Sequence, residues 1–196
     1  MTTKKNDPRV MRTRQLLQDS FTSLIREKDF KDITVRDITE KATVNRATFY
    51  AHFADKYELL DFTITNTFRD YLRQRLNCHD VFNQESITNI LLIMCDYHKD
   101  LSSRCQRSYQ SLRPIIESKI IEELQNVIFH LLLKGNKNTS FLDDDRELLK
   151  TISTLLSWSI YGAAYTWNND GRKISAEELI SKTIPIIMNG VGKLIS

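Results

Sequence analysis

Apolar residues recur three and four positions apart through most of this chain, and polar residues suited to capping a helix precede several of these runs. Leu17, Phe21, Leu24 and Ile25 form the inward stripe of a first helix that Asp7 caps, Pro8 opens and about Lys28 closes. Phe30 follows in the loop, placed to plug the core between the first helices. Thr34, Asn45 and Asp55 are then three N-cap residues in succession. Asp37 and Glu58 stand three residues after Thr34 and Asp55, giving a weak and a strong capping box. Ile33 with Ile38, and Val44 with Phe49, have the spacing of hydrophobic staples. The pattern predicts a short helix from Val35 to about Lys41, a turn through Ala42, Thr43 and Val44, and a second short helix from Arg46 to Phe53. A long helix from Lys56 to about Leu76 follows without a Gly, Pro or Ser linker.

Downstream, the periodicity predicts a helix over about 84–99, a shorter one from Ser102 to about Leu112, and a third that Pro114 opens and Lys134 closes. The polar run from Gly135 is the one long break, and Asp144 or Asp145 is placed to cap the next helix, which extends to Asn168. That helix is apolar on nearly every face from Ile152 to Trp167, so both of its sides need cover. Ser175, with Glu178 in a further capping box, starts the last helix, in which Pro185 is placed to kink the axis.

Two short helices joined by a three- or four-residue turn make a helix-turn-helix, whose second helix can enter the major groove while the first crosses the backbone. Phe49 and Phe53 lie four apart and point inward, which leaves Arg46, Ala47, Tyr50, Ala51 and His52 on the open side. The small alanines permit close approach, and the longer polar side chains suit phosphates or base edges. The residues expected to meet DNA are Thr34, Arg36, Asn45, Arg46, Ala47, Thr48, Tyr50, His52 and Lys56. Arg46 is the best placed for a base edge, and Lys56, at a helix start, for a phosphate. An ordinary helix pair inside an all-α core is the competing reading; the open Tyr50 and His52 weigh against it.

The runs T-V-R-D-I, A-T-V-N-R-A-T-F-Y-A-H-F and D-K-Y-E-L-L resemble the N-terminal domain of the tetracycline-repressor (TetR/AcrR) family of bacterial one-component regulators. The likeness is close over about residues 8 to 60 and extends beyond them only in length and helical character. One position departs from the family pattern: Thr43 stands where the turn usually carries Gly, and a β-branched side chain at positive φ is costly. The resemblance implies a homodimer, a palindromic operator in double-stranded DNA, and a small-molecule effector bound in the C-terminal domain. It transfers no effector-binding residue.

Charge distribution supports a nucleic-acid partner. Residues 1–56 hold 12 Lys plus Arg against 8 Asp plus Glu, whereas residues 57–196 hold 16 against 17, so the excess of the +3 chain lies in its first part. Lys4, Lys5, Arg9, Arg12 and Arg14 cluster at the start and are available to phosphates. The first glycine is Gly135, and only Pro8 and Pro114 interrupt the chain before it, which argues for helices and against a β-rich fold. Length and a 41% hydrophobic content allow a sizeable core. No apolar run is long enough to span a membrane and the N-terminus is polar, so a cytoplasmic protein is expected. Cys78, Cys95 and Cys105 fit free thiols better than a disulfide framework.

The expected fold is therefore all-α, with a three-helix DNA-binding domain over residues 1–56 and a larger helical effector-binding and dimerisation domain over residues 57–196. The last two helices suit a four-helix dimer interface. Met94, Tyr97, His98, Arg107, Phe129, Trp158 and Tyr161 combine apolar surface with a few polar anchors, as a pocket for an apolar or amphipathic effector requires. Cys95, His98 and Cys105 carry soft ligand atoms at helical spacing, but not at the spacing of a zinc finger, and neither a metal nor a cofactor is expected. Nucleophile elbow, phosphate loop, His-Glu-x-x-His and di-iron motifs are all missing from the sequence, so no catalytic residue is assigned and an enzyme is not expected. The function expected is a ligand-released transcriptional repressor. A helical ligand carrier or enzyme that no longer reads DNA is the alternative.

Overall fold

The computed structural model describes residues 7–77, 80–104, 109–135 and 146–195, except for the side chains of 103–104, 109–110 and 191–195. Among the described residues are eight α-helices, one 3-10 turn and no strand. Lys4, Lys5, Cys78, Cys105, Arg107 and the expected caps Asp144 and Asp145 lie outside them, as do the side chains of Val191 and Leu194. The chain divides into two compact units. One holds residues up to Asn66 together with Leu101–Ile116; the other holds Thr67–Asp100 and the residues from Glu117 onward.

In the first unit, α1 spans Pro8–Glu27 and begins as its sequence dictates, with the Arg9 N–H donating to Asp7 Oδ1 at 2.8 Å and Pro8 in the first turn. Leu17, Phe21, Leu24 and Ile25 are buried along its inner face. A 3-10 turn, Phe30–Asp32, seats Phe30 edge-on to Phe21 and Tyr57, at centroid distances of 6.0 and 5.2 Å. Helix α2 covers Val35–Ala42 and α3 covers Arg46–Tyr50, with a turn replacing the helix that the sequence predicts to continue to Phe53. The shortening has a local cause: the His52 and Phe53 N–H groups both converge on the Phe49 carbonyl, at 2.9 Å each.

The capping boxes rank opposite to expectation. Thr34 and Asp37 close a full reciprocal box: the Asp37 N–H donates to Thr34 Oγ1 at 3.2 Å and the Thr34 N–H to Asp37 Oδ2 at 2.7 Å. At the third start, Asp55 Oδ1 accepts from the Tyr57 and Glu58 N–H groups, but Glu58 reaches one residue further back, to the Ala54 N–H at 2.5 Å.

Helix α4, Lys56–Arg75, is unbroken, and the division between the units falls inside it. Helix α5 spans Gln84–Arg104 and α6 spans Tyr109–Gly135, so Pro114 lies within α6 and does not open it. A proline at this early position removes one backbone bond, to the carbonyl four residues back. Pro114 is solvent-exposed while Leu112 and Ile116 beside it are buried, so packing of its neighbours retains the helix. Helix α7, Arg146–Asn169, and α8, Ala176–Ile195, complete the second unit and pack on each other.

Core residues of the second unit come from Phe68 and Leu72 on α4, from α5 between Ile87 and His98, and from Ile120, Leu124, Ile128 and Leu132 on α6. Helix α7 buries Leu149, Ile152, Leu156 and Ile160 along one face and leaves Leu155 and Trp158 63% and 53% exposed on another. On α8 Ile187 is buried and its neighbour Ile186 is 76% exposed.

The turn between α2 and α3 tests the Gly-to-Thr departure. Thr43 adopts φ 56°, ψ 42°, its N–H reaches the Glu40 carbonyl at 3.2 Å, and the Val44 N–H reaches the Thr39 carbonyl at 3.0 Å. This is a Schellman closure with a β-branched residue at the left-handed position. The conformation costs an L-residue about 1–2 kcal/mol. Because the side chain is exposed, Thr43→Gly should raise stability by about 1 kcal/mol, or roughly 2–4 °C in melting temperature for a chain of this size. Thermal denaturation of the two proteins checks this; an unchanged or lower melting temperature would show that the turn bears no strain.

Candidate nucleic-acid interface and effector core

The open face of α3 is built from its buried one. Phe49 is fully buried and Phe53 nearly so, with rings 6.0 Å apart, and together they root the helix in the first unit. Asn45 starts it: Asn45 Oδ1 accepts from the Thr48 N–H at 2.7 Å and the Thr48 hydroxyl at 2.9 Å. Arg46, Ala47, Tyr50 and Ala51 then stand exposed, with Tyr50 at 58%. Its ring meets Phe49 edge-on at 5.5 Å, which braces an otherwise solvent-directed phenol.

Around this face the other expected contacts are engaged within the protein. Thr34 and Asp37 form the capping box, and Lys28 Nζ lies 2.8 Å from Asp37 Oδ2. That cation, followed by the Thr34 bonds, pulls the Asp37 carboxyl down to about 2. Arg36 pairs with Glu40 across one helical turn at 2.6 Å, with both side chains exposed. Lys56 Nζ donates to the Phe30, Lys31 and Ile33 carbonyls at 3.0, 3.1 and 2.8 Å and lies 4.6 Å from the Phe30 ring centroid. Its three protons thus close the 3-10 turn. Arg14, expected among the phosphate-facing cations, sends Nη2 to the His52 carbonyl at 3.2 Å and lies over the Phe53 and Phe62 rings. Arg9 and Arg12 remain exposed. The His52 imidazole is half-buried; desolvation and then the Arg14 charge lower its pKa.

The second unit contains a different kind of site. His98 on α5 is 1% exposed, and neither ring nitrogen has a hydrogen-bond partner among the described residues. Aromatic edges enclose it: Tyr161 at 5.0 Å, Tyr165 at 5.8 Å and Tyr97 at 6.1 Å between centroids. Tyr97 in turn meets Phe68 and Tyr71 of α4 at 5.4 and 5.7 Å. Burial alone drives the His98 pKa down to about 4, so the ring is a neutral donor and acceptor at pH 7. Buried nitrogens of this kind go unpaired at a cost and are few in native proteins.

Of the residues expected to line an effector pocket, the structure therefore gathers Tyr97, His98 and Tyr161. Met94 is fully buried one turn before His98 on the same helix. Phe129 on α6 stacks edge-on with its neighbour His130, and Trp158 is exposed on α7, apart from the buried ring cluster. Tyr165, on the same aromatic-rich helix, joins the cluster: it is stacked on Tyr161 at 6.0 Å, four residues away. Cys95 is buried, and its thiol is pushed up to about 12, chiefly by desolvation, so it carries no thiolate at neutral pH.

A short helix with a buried aromatic root and an open polar face, following a tight turn and a bracing helix, defines a helix-turn-helix protein. The comparisons give the particular family. The family described as "Bacterial regulatory proteins, tetR family" matches residues 22–61, and that described as "Transcriptional regulator C-terminal region" matches residues 85–189. The chain belongs to the tetR family of bacterial transcriptional regulators.

Among individual proteins, an "Uncharacterized HTH-type transcriptional regulator YxbF" of Bacillus subtilis is 52% identical over 58 residues, which is 29% of this chain and 15% of that relative's length. The fold is similar to that of a TetR transcriptional regulator from Streptococcus agalactiae, with TM-score 0.60, 21% identity, and 91% and 95% of the two chains covered. It is also similar to the dihydroxyacetone kinase operon activator DhaS, with TM-score 0.59, 16% identity and 93% and 97% coverage. FadR of Bacillus subtilis, solved with stearoyl-CoA, follows at TM-score 0.54, 16% identity and 90% and 98% coverage. Among the described residues no helix is long and apolar enough to cross a membrane.

Burying His98 as a neutral ring fixes a pH dependence. Its folded pKa lies below the ordinary 6.5, so between pH 6.5 and 4 the unfolded chain binds the extra proton and stability falls as the pH falls. The loss at pH 5 should be about 2 kcal/mol relative to pH 7, at 1.36 kcal/mol per pKa unit. His98→Phe, which preserves an aromatic ring among the tyrosines, should flatten the denaturant midpoint over this range. Equal pH slopes in the two proteins would show that His98 is solvated or paired in solution.

Proposed function

We propose that this regulator is a homodimeric repressor that binds a palindromic operator through α3 and is released by a small molecule held beside His98. The observation that carries the DNA-binding part is the two-sidedness of α3, with Phe49 fully buried and Arg46, Ala47 and Tyr50 open on the other face. Arg46 is the base-edge candidate, Tyr50 and His52 flank it, and the N–H groups at the starts capped by Thr34 and Asn45 suit phosphates. Thr48, bonded to Asn45, and Arg36, paired with Glu40, lie at the edge of this surface. Lys56 acts from behind, by holding the turn under it. In this reading residues 1–56 form the reading domain, residues 57–196 form the effector and dimer domain, and the protein works in the cytoplasm.

The dimer reading rests on the face that α7 and α8 leave open. Leu148, Leu155 and Trp158 line one side of α7, Gly162 continues it with no atom within 4 Å of where a Cβ would stand, and Ile186 projects from α8. Beside Gly162 and Thr166 a groove of about 550 Å³ is walled by Trp167 and Leu179. Large apolar residues rimming a small one suit the close helix crossing of a two-fold four-helix interface. On α8 Ile186 is exposed and Ile187 buried, so charge placed at Ile186 is the appropriate probe.

The effector reading rests on His98. A neutral imidazole with two unpaired nitrogens among tyrosine rings favours an apolar or aromatic ligand that carries an uncharged hydrogen-bonding group, such as a hydroxyl. Tyr97 links that position to α4 through Phe68 and Tyr71.

Footprinting of the DNA upstream of the regulator's own gene tests the DNA-binding reading. A protected palindrome is expected, with half-sites roughly 34–36 Å apart. Arg46→Ala should cost about 1–3 kcal/mol and relax specificity at one base pair, and Tyr50→Ala should weaken binding to all sequences. Variants that bind like the parent would remove α3 as the reading element. For the dimer, sedimentation at micromolar concentration should show two chains in the parent and one in Leu155→Glu/Ile186→Glu; a monomeric parent defeats that reading.

A further inference from the structure

Arg14 faces the exit of a short helix. Only five residues of α3 are helical, and at its exit the His52 carbonyl points back toward α1. Arg14 Nη2 donates to that carbonyl at 3.2 Å, and its guanidinium carbon lies 5.2 Å from the Phe53 centroid and 5.1 Å from that of Phe62. The two rings are themselves 5.3 Å apart. Phe53 roots α3, and Phe62 belongs to α4. The Arg14 Nε is buried without a partner among the described residues, and the side chain is directed inward to rings and a carbonyl. Charge at the carboxyl end of a helix is also the favourable sign for its dipole.

We infer that Arg14 is a positioning residue for DNA reading: it ties the exit of α3 to α4 through the His52 carbonyl and the Phe53–Phe62 ring pair, and it makes no phosphate contact. The inference rests on α3 being the DNA-reading element. It gives Phe62 a role as well, because any shift of α4 relative to α1 must loosen the guanidinium from one of its two rings. Reading would then degrade through misplacement of Arg46 and Tyr50, with the electrostatic attraction to DNA left intact.

Salt dependence separates this role from a phosphate contact. Each neutralised phosphate contributes about 0.9 to the slope of log affinity against log salt, and a residue acting through another contributes nothing to it. Affinities of the parent, Arg14→Met and Arg14→Lys for footprinted operator and for unrelated duplex should be measured across a salt series. Arg14→Met keeps an unbranched chain over the rings. It is expected to lose about tenfold in operator affinity, the scale of one hydrogen bond to a charged group, with the affinity for unrelated duplex and both salt slopes unchanged. Arg14→Lys keeps the charge but not the planar fork, and it is expected to lose specificity at unchanged slope; it carries the test if Arg14→Met does not fold.

A drop in slope magnitude by about 0.9 in Arg14→Met, or parent-like affinity and slope in Arg14→Lys, overturns the inference in favour of a simple phosphate contact. A specific parent matched by both variants overturns it while leaving the proposed function standing. A parent with no preference for any footprinted sequence overturns both.

Discussion

The constraint on which the N-terminal unit depends is that a five-residue helix cannot hold itself. Nucleating a helix fixes several dihedrals for the first hydrogen bond, and isolated helices shorter than about 12 residues are marginal in water. Helix α3 therefore borrows its order. Asn45 supplies the start by accepting two bonds from Thr48, Phe49 and Phe53 supply a buried root, and the Schellman turn at Thr43 sets the entry from α2. Arg14 supplies the exit. Phe49, Phe53 and Arg14 act from the protein side of the helix, so the outer face is left to Arg46, Ala47 and Tyr50.

Two cations illustrate how charge becomes architecture. Arg14 and Lys56 both sit in the basic segment that a nucleic-acid partner would be expected to attract, yet both point at carbonyls and aromatic rings. A lysine bonded to three carbonyls and an arginine stacked on two rings satisfy backbone groups that short helices and a 3-10 turn leave orphaned. Bracing of the short helices is thus a role that the basic composition of the segment does not reveal.

Local signals made the first unit legible. Caps, staples and apolar spacing depend on residues within a few positions of one another, and they placed α1, α2, the start of α3 and the start of α4 correctly. What they missed was set by distant partners. Nothing near Lys56 in sequence shows that three carbonyls between Phe30 and Ile33 will surround it, and nothing near Arg14 points to His52. Further along the chain, periodicity identified helices but misread Pro114, which lies inside α6 between the buried Leu112 and Ile116. Composition grouped Tyr97, His98 and Tyr161, whose rings meet, with Trp158, which is exposed on another face of α7. An aromatic-rich helix carries rings on more than one face, and only packing decides which of them meet.

Helix α4 turns these two sets of contacts into one mechanical problem under the proposed function. Near its start Phe62 bears on Arg14, and further along Phe68 and Tyr71 bear on Tyr97, next to His98. No Gly or Pro interrupts the helix between these points. The energetic condition on such a device is strict. A ligand can weaken DNA binding only by as much as it prefers the displaced arrangement, typically about 1–3 kcal/mol, and bound DNA must weaken the ligand by the same factor. The unpaired nitrogens of His98 are suited to supply that preference: a hydrogen bond formed only when the rings have parted to admit a ligand is a term that the ligand-free arrangement lacks. An apolar ligand that merely filled space would have no comparable means of distinguishing the two arrangements.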